Sequence, residues 1–306
     1  MQNFFEILPE KFNTSIALGY FDGLHRGHRS VISLAVAEKS NGLTAVCFTF
    51  SKSPKSVLTK SAVSALMTAE DKIKTLEMLG IDHTYQADFE KIMNMSAREF
   101  FKDILIDKLR AKKLFCGFNY RFGKNGEGDV EMLQSLCNEY GVQLCVVPPE
   151  QSEGEVVSST LLRGLVAEGK VKQANELMCS RFGFSSVIEH GKRLGRELGT
   201  PTINQPLCPE LVVPKFGVYA SAVTLESGEV YCGVTNIGIK PTVGGTVPIC
   251  ETWMPKYKGE EIYGQSADVR LLEFIRPEKK FAGIEELKNA IIENSHTALE
   301  IFKANV

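Results

Sequence analysis

Over roughly the first 150 residues of this 306-residue chain, apolar runs of strand length alternate with helical patterns; after about residue 182 the helical period disappears. The strand-length runs fall at 15–18, 43–50, 82–86, 113–116 and 143–147. Between them, Ser96-Ala97-Arg98-Glu99 reads as a capping box, in which hydroxyl and carboxylate satisfy each other's free N–H groups, and it predicts a helix over 97–109. Thr68-Ala69-Glu70-Asp71 opens another, with Ile73, Leu76 and Leu79 as its apolar positions and Gly80 placed to end it in a left-handed turn. Alternation of this length predicts a parallel, doubly wound sheet. Beyond the switch, 185–189, 217–225, 229–234 and 266–272 are short strand-like runs, with Ser227-Gly228 as a hairpin turn. That texture predicts an antiparallel barrel or sandwich of about 100 residues. A last helix over 284–302 carries Leu287, Ile291, Leu299 and Phe302 at helical spacing. Two domains follow, 1–181 and 182–306, which a chain this long can furnish with separate cores.

A net charge of −2 gives no electrostatic reason to bind nucleic acid or an anionic membrane. The N-terminus has neither a basic region nor an apolar stretch of the signal-peptide kind, and no run of 18 apolar residues occurs. The eight cysteines are scattered without a C-x-x-C pair, which argues for reduced, packed thiols. A cytoplasmic protein, monomeric or weakly homo-oligomeric, is expected.

Chemistry concentrates in glycine-punctuated loops. Gly19-Tyr20-Phe21-Asp22-Gly23-Leu24-His25-Arg26-Gly27-His28 connects the first strand to the first helix. Free N–H groups and the positive end of the helix dipole suit an anion there, and His25 and His28, three apart on the first turn, can face one phosphate chain. A second loop, 117–129, carries Arg121 and Lys124, and Ser158-Ser159-Thr160-Leu161-Leu162-Arg163 is a further helix start whose arginine suits a phosphate. The loop 190–204 is basic and glycine-rich and ends in Pro201-Thr202-Ile203-Asn204. Its hydroxyl and amide oxygens, Thr202 and Asn204, are hard ligands suited to Mg2+. The plain alternatives are flexible connections, ordinary helix caps and solvated charges.

Together these segments resemble the prokaryotic bifunctional riboflavin kinase/FAD synthetase family, over nearly the whole chain and in the family's order. Residues 19–28 are similar to its G-x-F-D-G-x-H-x-G-H, Arg121-Phe122-Gly123 with Gly128-Asp129 to its R-F-G…G-D, and 158–163 to its S-S-T-x-x-R. The loop 190–204 resembles its H-G-x-x-x-G-R-x-L-G-x-P-T-x-N, with Thr200 for the usual aromatic and Ile203 for the usual small residue. Asn236-Ile237-Gly238-Ile239-Lys240-Pro241-Thr242 is similar to its N-I-G-x-R/K-P-T.

The resemblance implies an N-terminal α/β nucleotidyltransferase domain, Rossmann-like with a parallel sheet. It also implies an all-β, six-stranded-barrel-like riboflavin kinase domain with a C-terminal helix. ATP would lie against His25 and His28, with Arg163 and Ser159 on its phosphates. Gly19, Phe21, Asp22, Gly23, Gly27, Arg121, Asp129, Ser158 and Thr160 would complete that nucleotide site. Gly191, Lys192, Gly195 and Pro201 would form the second, with Mg2+ on Thr202 and Asn204. Asn119, Asn236 and Arg276 would meet flavin, and Glu251 would be the general base that activates the riboflavin hydroxyl. Two positions depart from the pattern: Ser53 stands where the family usually has the histidine of an H-P pair, and Tyr20 where Asn is frequent. Lys52 and Lys55 are the sequence neighbours able to supply the missing charge. The expected reactions are riboflavin plus ATP to FMN, and FMN plus ATP to FAD with release of pyrophosphate. The alternatives are a kinase whose adenylyl transfer is weakened or lost, and a non-catalytic flavin- or nucleotide-binding regulator.

Overall fold

The computed structural model describes residues 12–59, 63–190, 199–242, 245–259 and 261–305. The chain forms two compact units, residues 1–65 with 69–159, and residues 160–306 with 66–68.

The first unit begins with β1 (Thr14–Leu18), α1 (Arg26–Ala37), β2 (Thr44–Phe50), α2 (Pro54–Thr59), α3 (Ala69–Met78) and β3 (His83–Ala87). It continues through α4 (Phe89–Ile92), α5 (Ala97–Glu99), β4 (Ala111–Gly117), α6 (Val130–Tyr140), β5 (Gln143–Val147) and the short hairpin β6 (Gln151–Ser152) and β7 (Glu155–Val156). Five of the strands form a parallel sheet in the order β3-β2-β1-β4-β5. Every side chain of β1 is buried, as a strand covered on both faces requires. Its Ile16 and Leu18 pack with Phe48 and Leu114 against Phe101, Leu105 and Leu133. The direction of winding changes between β1 and β4, so the loops after these two strands flank the crevice where open α/β sheets take ligands.

Two helices differ from expectation. The capping box at Ser96 and Glu99 is present, but the helix it opens turns after α5 into a π-helix over Phe100–Lys108. Leu109 N–H accordingly bonds the Ile104 carbonyl at 2.9 Å. The wider winding stacks Phe100 and Leu105 toward the same core. On α3 the buried residues are Asp71, Lys72, Thr75 and Leu76, while Ile73 and Leu79 are only partly covered. Gly80 ends that helix at φ +96°, as its position predicts.

The second unit starts with α7 (Ser159–Ala167), whose first residue belongs to the first unit, and α8 (Val171–Leu177). There follow β8 (Gly183–Val187), β9 (Thr202–Pro206), β10 (Gly217–Leu225), β11 (Val230–Thr242), β12 (Gly245–Trp253), β13 (Ser266–Arg276) and α9 (Ile284–Asn305). The six strands are antiparallel neighbours in the order β8-β13-β10-β11-β12-β9. A bridge from Glu189 N–H to the Asn204 carbonyl, 2.8 Å, nearly closes the sheet into a barrel.

The barrel interior explains why β9 reads as loop in the sequence. Its inward residues are Ile203 and Gln205, and Gln205 is fully buried, donating to the carbonyls of Ser186 at 2.7 Å and Ala267 at 2.8 Å. The same interior holds a hydroxyl chain, Ser221 to Thr235 at 2.7 Å and Thr235 to Thr252 at 2.9 Å. Gly233 faces Ser221, and a Cβ there would stand 2.4 Å from that hydroxyl, so the chain has room only because this residue is glycine. Helix α9 rests on β10, β11 and β13. It buries Asn294, Ser295 and Ala298, with Leu299 and Phe302 at the margin of the contact; Leu287 and Ile291 are also only partly covered. The expected apolar stripe is thus displaced, because close packing on the sheet favours small side chains at the centre of the face. None of the eight cysteines is in a disulfide, and no described helix is long and apolar enough to cross a membrane.

Candidate active sites

The β1–α1 loop is strained in a way a plain connection would not be. Phe21, Gly23 and Leu24 all have positive φ, of 56°, 76° and 39°. Such conformations cost about 1–3 kcal/mol at each non-glycine residue and persist only where the surroundings enforce them. Gly19 is required by the same fold: a Cβ on it would lie 2.9 Å from the Phe21 ring. Three side chains hold the loop's carbonyls. Thr49 Oγ1 donates to Tyr20 at 2.8 Å, Lys72 Nζ donates to the same carbonyl at 3.0 Å, and Ser159 Oγ donates to Asp22 at 2.8 Å.

The loop delivers two imidazoles to the helix start. His25 is the N-cap of α1, and its Nδ1 accepts from the His28 N–H at 3.3 Å. With Nδ1 accepting, neutral His25 carries its proton on Nε2. The rings stack with centroids 3.5 Å apart, and Phe21 stands edge-on to His28 at 5.2 Å. Burial pushes His25 down to about 4; burial, with His25 and Lys72 nearby, holds His28 well below the usual range. Both imidazoles are therefore neutral at pH 7, and His28 Nδ1 is a buried polar atom without a partner. Gly27 packs against the His25 ring, 3.4 Å from where its Cβ would be.

The other residues expected in this site divide. Ser158 and Arg163 are half-buried and Thr160 exposed, with Arg163 3.4 Å from the Thr160 hydroxyl. Asp129 caps α6 by accepting from Met132 N–H at 2.9 Å, and Arg121 lies 3.6 Å from its carboxylate. Asn119 is exposed on the loop after β4. Ser53 starts α2, its carbonyl accepting from Val57 N–H, while Lys52 and Lys55 are exposed. Neither lysine supplies a buried charge. Lys72, which sequence reasoning missed, does: it is 4% exposed, 4.3 Å from the Tyr20 ring centroid, and burial lowers it to about 8. The sequence marks Ile73, Leu76 and Leu79 as the apolar positions of α3, so nothing in it singles out Lys72, which shares the buried face with Asp71, Thr75 and Leu76.

The second site lies on the barrel's strand ladder. Asn204 pairs with Glu251, Glu251 with Asn236, Asn236 with Val218, and Val218 with Arg276. Four of the expected residues thus form one row across five strands. Paired residues in a ladder point to the same face, so Asn204, Glu251 and Asn236 project together. Thr202, two residues before Asn204, shares that face. Asn204 is 4% exposed and its Oδ1 has no hydrogen-bond partner. A buried, unsatisfied amide oxygen beside a hydroxyl and a carboxylate is a donor set that fits a hard divalent cation. Asn236 Nδ2 donates to Glu278 at 3.3 Å; Arg276 donates to Asn294 at 3.2 Å and lies 5.5 Å from the Phe281 ring.

A cavity of about 330 Å³ is lined by Pro201, Thr202, Met254, Tyr257, Glu261 and Tyr263 among others, so that it reaches the row's face at Thr202. It lies at the lower end of the range of small-molecule pockets and combines apolar walls with few polar groups. His190 packs on Tyr263 with centroids 3.9 Å apart. Gly191, Lys192 and Gly195 lie outside the described residues.

Comparison with known proteins covers both halves. Residues 8–161 match the FAD synthetase family and residues 178–302 the riboflavin kinase family. The bifunctional riboflavin kinase/FMN adenylyltransferase of Bacillus subtilis is 34% identical over 304 residues, covering 97% of this chain and 95% of its own. The Escherichia coli K12 protein of the same description is 33% identical, covering 94% and 92%. A crystal structure described as a macrolide-efflux protein from Streptococcus pneumoniae superposes with a TM-score of 0.86 at 27% identity, covering 96% of this chain and 95% of that one. With both domain families matched in order and full-length relatives above 30% identity, the chain belongs to the bifunctional riboflavin kinase/FMN adenylyltransferase family.

Proposed function

We propose that this chain phosphorylates riboflavin to FMN and adenylylates FMN to FAD, both from ATP. The adenylyltransferase is assigned to residues 1–181 and the kinase to 182–306. The observation that carries the kinase reading is the row Asn204–Glu251–Asn236, on whose face Thr202 also lines a cavity of about 330 Å³. Glu251 takes the proton of the ribityl 5′-hydroxyl as that oxygen attacks the γ-phosphorus and ADP leaves. Thr202 and Asn204 would hold Mg2+, which when bound neutralises charge on the phosphates. Asn236 and Arg276 orient the flavin, and Pro201 lines the nucleotide cavity, with Gly191, Lys192 and Gly195 assigned to the same nucleotide.

In the other reaction a phosphate oxygen of FMN attacks the α-phosphorus of ATP and pyrophosphate leaves, with no covalent enzyme intermediate. His25 donates through Nε2–H to the phosphates as a neutral group, beside the N–H groups of the first turn of α1. Arg163 adds charge to the departing pyrophosphate, and Ser158, Ser159 and Thr160 bring the start of α7 to it. Gly19, Phe21, Asp22, Gly23 and Gly27 shape the loop around the nucleotide, Asn119 meets the flavin, and Arg121 with Asp129 orders the loop beside it. The protein acts in the cytoplasm, as a monomer or weak homo-oligomer, without nucleic acid or membrane.

One assay separates the readings. Protein with riboflavin, ATP and Mg2+ is sampled over time and riboflavin, FMN and FAD are resolved by chromatography. Successive FMN and FAD support both activities; FMN alone identifies a kinase without adenylyl transfer; unchanged riboflavin, with FMN also left unadenylylated, identifies a binding protein.

A further inference from the structure

Lys72 belongs to none of the loops that carry the expected chemistry, yet from α3 it joins the β1–α1 loop to the end of β2. Its Nζ donates to the Tyr20 carbonyl of the β1–α1 loop at 3.0 Å and lies 3.4 Å from both the Phe50 carbonyl, at the end of β2, and Thr49 Oγ1. It also sits over the Tyr20 ring, 4.3 Å from the centroid. Lysine is seldom buried without such partners, and here three oxygens and a π-face surround the ammonium. The next four residues of the loop include the positive-φ Phe21, Gly23 and Leu24 and lead straight to the His25 cap.

We propose that Lys72 is a positioning residue for adenylyl transfer: its ammonium clamps the Tyr20 end of the strained loop to β2 and so sets where His25 and His28 stand. This rests on the adenylyltransferase reading of that site. A neutral side chain of equal length would fill the space but remove the Lys72 hydrogen bond to the Tyr20 carbonyl, freeing the loop to relax. The charge matters as well as the shape. The titratable groups facing Lys72 are Tyr20 and Asp22 from the loop, Cys47 from β2 and His28 from α1, with Asp71 beside it on α3. Burial lowers Lys72 to about 8, so the clamp weakens as the ammonium deprotonates in mildly alkaline solution.

The test compares the parent with Lys72→Arg and Lys72→Met, following FAD formation from FMN and ATP between pH 6 and 9.5, with riboflavin phosphorylation as internal control. Expected are a fall in the parent's adenylyl transfer above about pH 8, its absence in Lys72→Arg, and at least a tenfold loss at pH 7 in Lys72→Met, chiefly in kcat. Riboflavin phosphorylation should stay within twofold in all three. Adenylyl transfer within twofold of the parent in Lys72→Met, or the same alkaline fall in parent and Lys72→Arg, overturns the proposal; so does a parallel loss of kinase activity. Long-range proton–nitrogen spectra of the imidazoles give a second reading that does not depend on turnover. The parent and Lys72→Arg should show one fixed His25 tautomer and Lys72→Met an averaged one; identical spectra in all three overturn the clamp. A parent that makes no FAD at any pH refutes the adenylyltransferase reading instead, and the spectra then decide the clamp alone.

Discussion

The Ser159 hydroxyl donates to the Asp22 carbonyl at 2.8 Å, joining residues 137 positions apart. A serine at a helix start invites assignment to phosphate binding, but its hydrogen is already committed to the loop that carries the histidines. Its lone pairs remain able to accept from a neighbouring donor. Ser159→Ala removes this hydrogen bond from the Asp22 carbonyl, a loss of about 0.5–1.5 kcal/mol, and loosens the loop. Roughly tenfold or greater loss of adenylyl-transfer kcat/KM is expected, with riboflavin phosphorylation unchanged, measured in the same preparation.

Glu251 should separate the two activities in the opposite sense. Glu251→Gln keeps the side chain's size on β12 but removes the base, and general-base contributions run to about 10²–10⁴-fold. FMN formation should fall by that order, while FAD formation from supplied FMN stays at the parental rate. Undiminished riboflavin phosphorylation would take Glu251 out of its assigned role.

Asn204 offers a buried Oδ1 without a hydrogen-bond partner, a donor that fits a hard cation. Asn204→Ala removes that oxygen and the need to satisfy it together, so the fold should tolerate the change better than the chemistry. The Mg2+ concentration for half-maximal kinase rate should rise by roughly 10–100-fold, the range seen when metal sites lose a supporting group. Titrating Mg2+ at fixed ATP checks it.

The buried histidines make the first unit acid-labile. In the unfolded chain His25 takes up a proton near 6.5, but in the folded protein only near 4. Between those values the unfolded state binds more protons, so stability falls as pH drops through the window. His25 alone is worth roughly 3 kcal/mol across it, at about 1.4 kcal/mol per pH unit. His28 shifts the same way. Urea unfolding of the first unit should show a lower midpoint at pH 5 than at pH 7. His25→Asn keeps a capping side chain at this position and should flatten the difference.

What could be read from the sequence is what local chemistry decides. The five parallel strands, the Ser96–Glu99 capping box and the left-handed Gly80 were all legible, because apolar runs, caps and glycines act within a few residues. The His25–His28 pair was legible for the same reason: a helix start and an i, i+3 spacing are local facts. Strand β9 was not, because the burial of Gln205 depends on carbonyls of Ser186 and Ala267 supplied by other strands. Nor was Lys72, since a lysine on a helix reads as a solvated face until β2 and Tyr20 are seen around it. On α9 the pattern marked Leu287, Ile291, Leu299 and Phe302; Leu299 and Phe302 do pack on the sheet, but the centre of the face goes to Asn294, Ser295 and Ala298 by the space the sheet leaves. The alignment of Asn204, Glu251 and Asn236 was hidden too, because register is a relation between strands.

That row has a consequence for how the kinase comes into being. Its members are contributed by β9, β12, β11 and β13, and the first and last lie 72 positions apart in a chain read from one end. During synthesis Asn204 emerges early and waits for β12 before it has a neighbour, and Arg276 joins only when β13 docks on β10. No truncated product ending before β13 can hold the complete constellation. On the proposed assignment of this row to the kinase, riboflavin phosphorylation begins only once β13 has docked, and its onset can serve as a clock for barrel assembly.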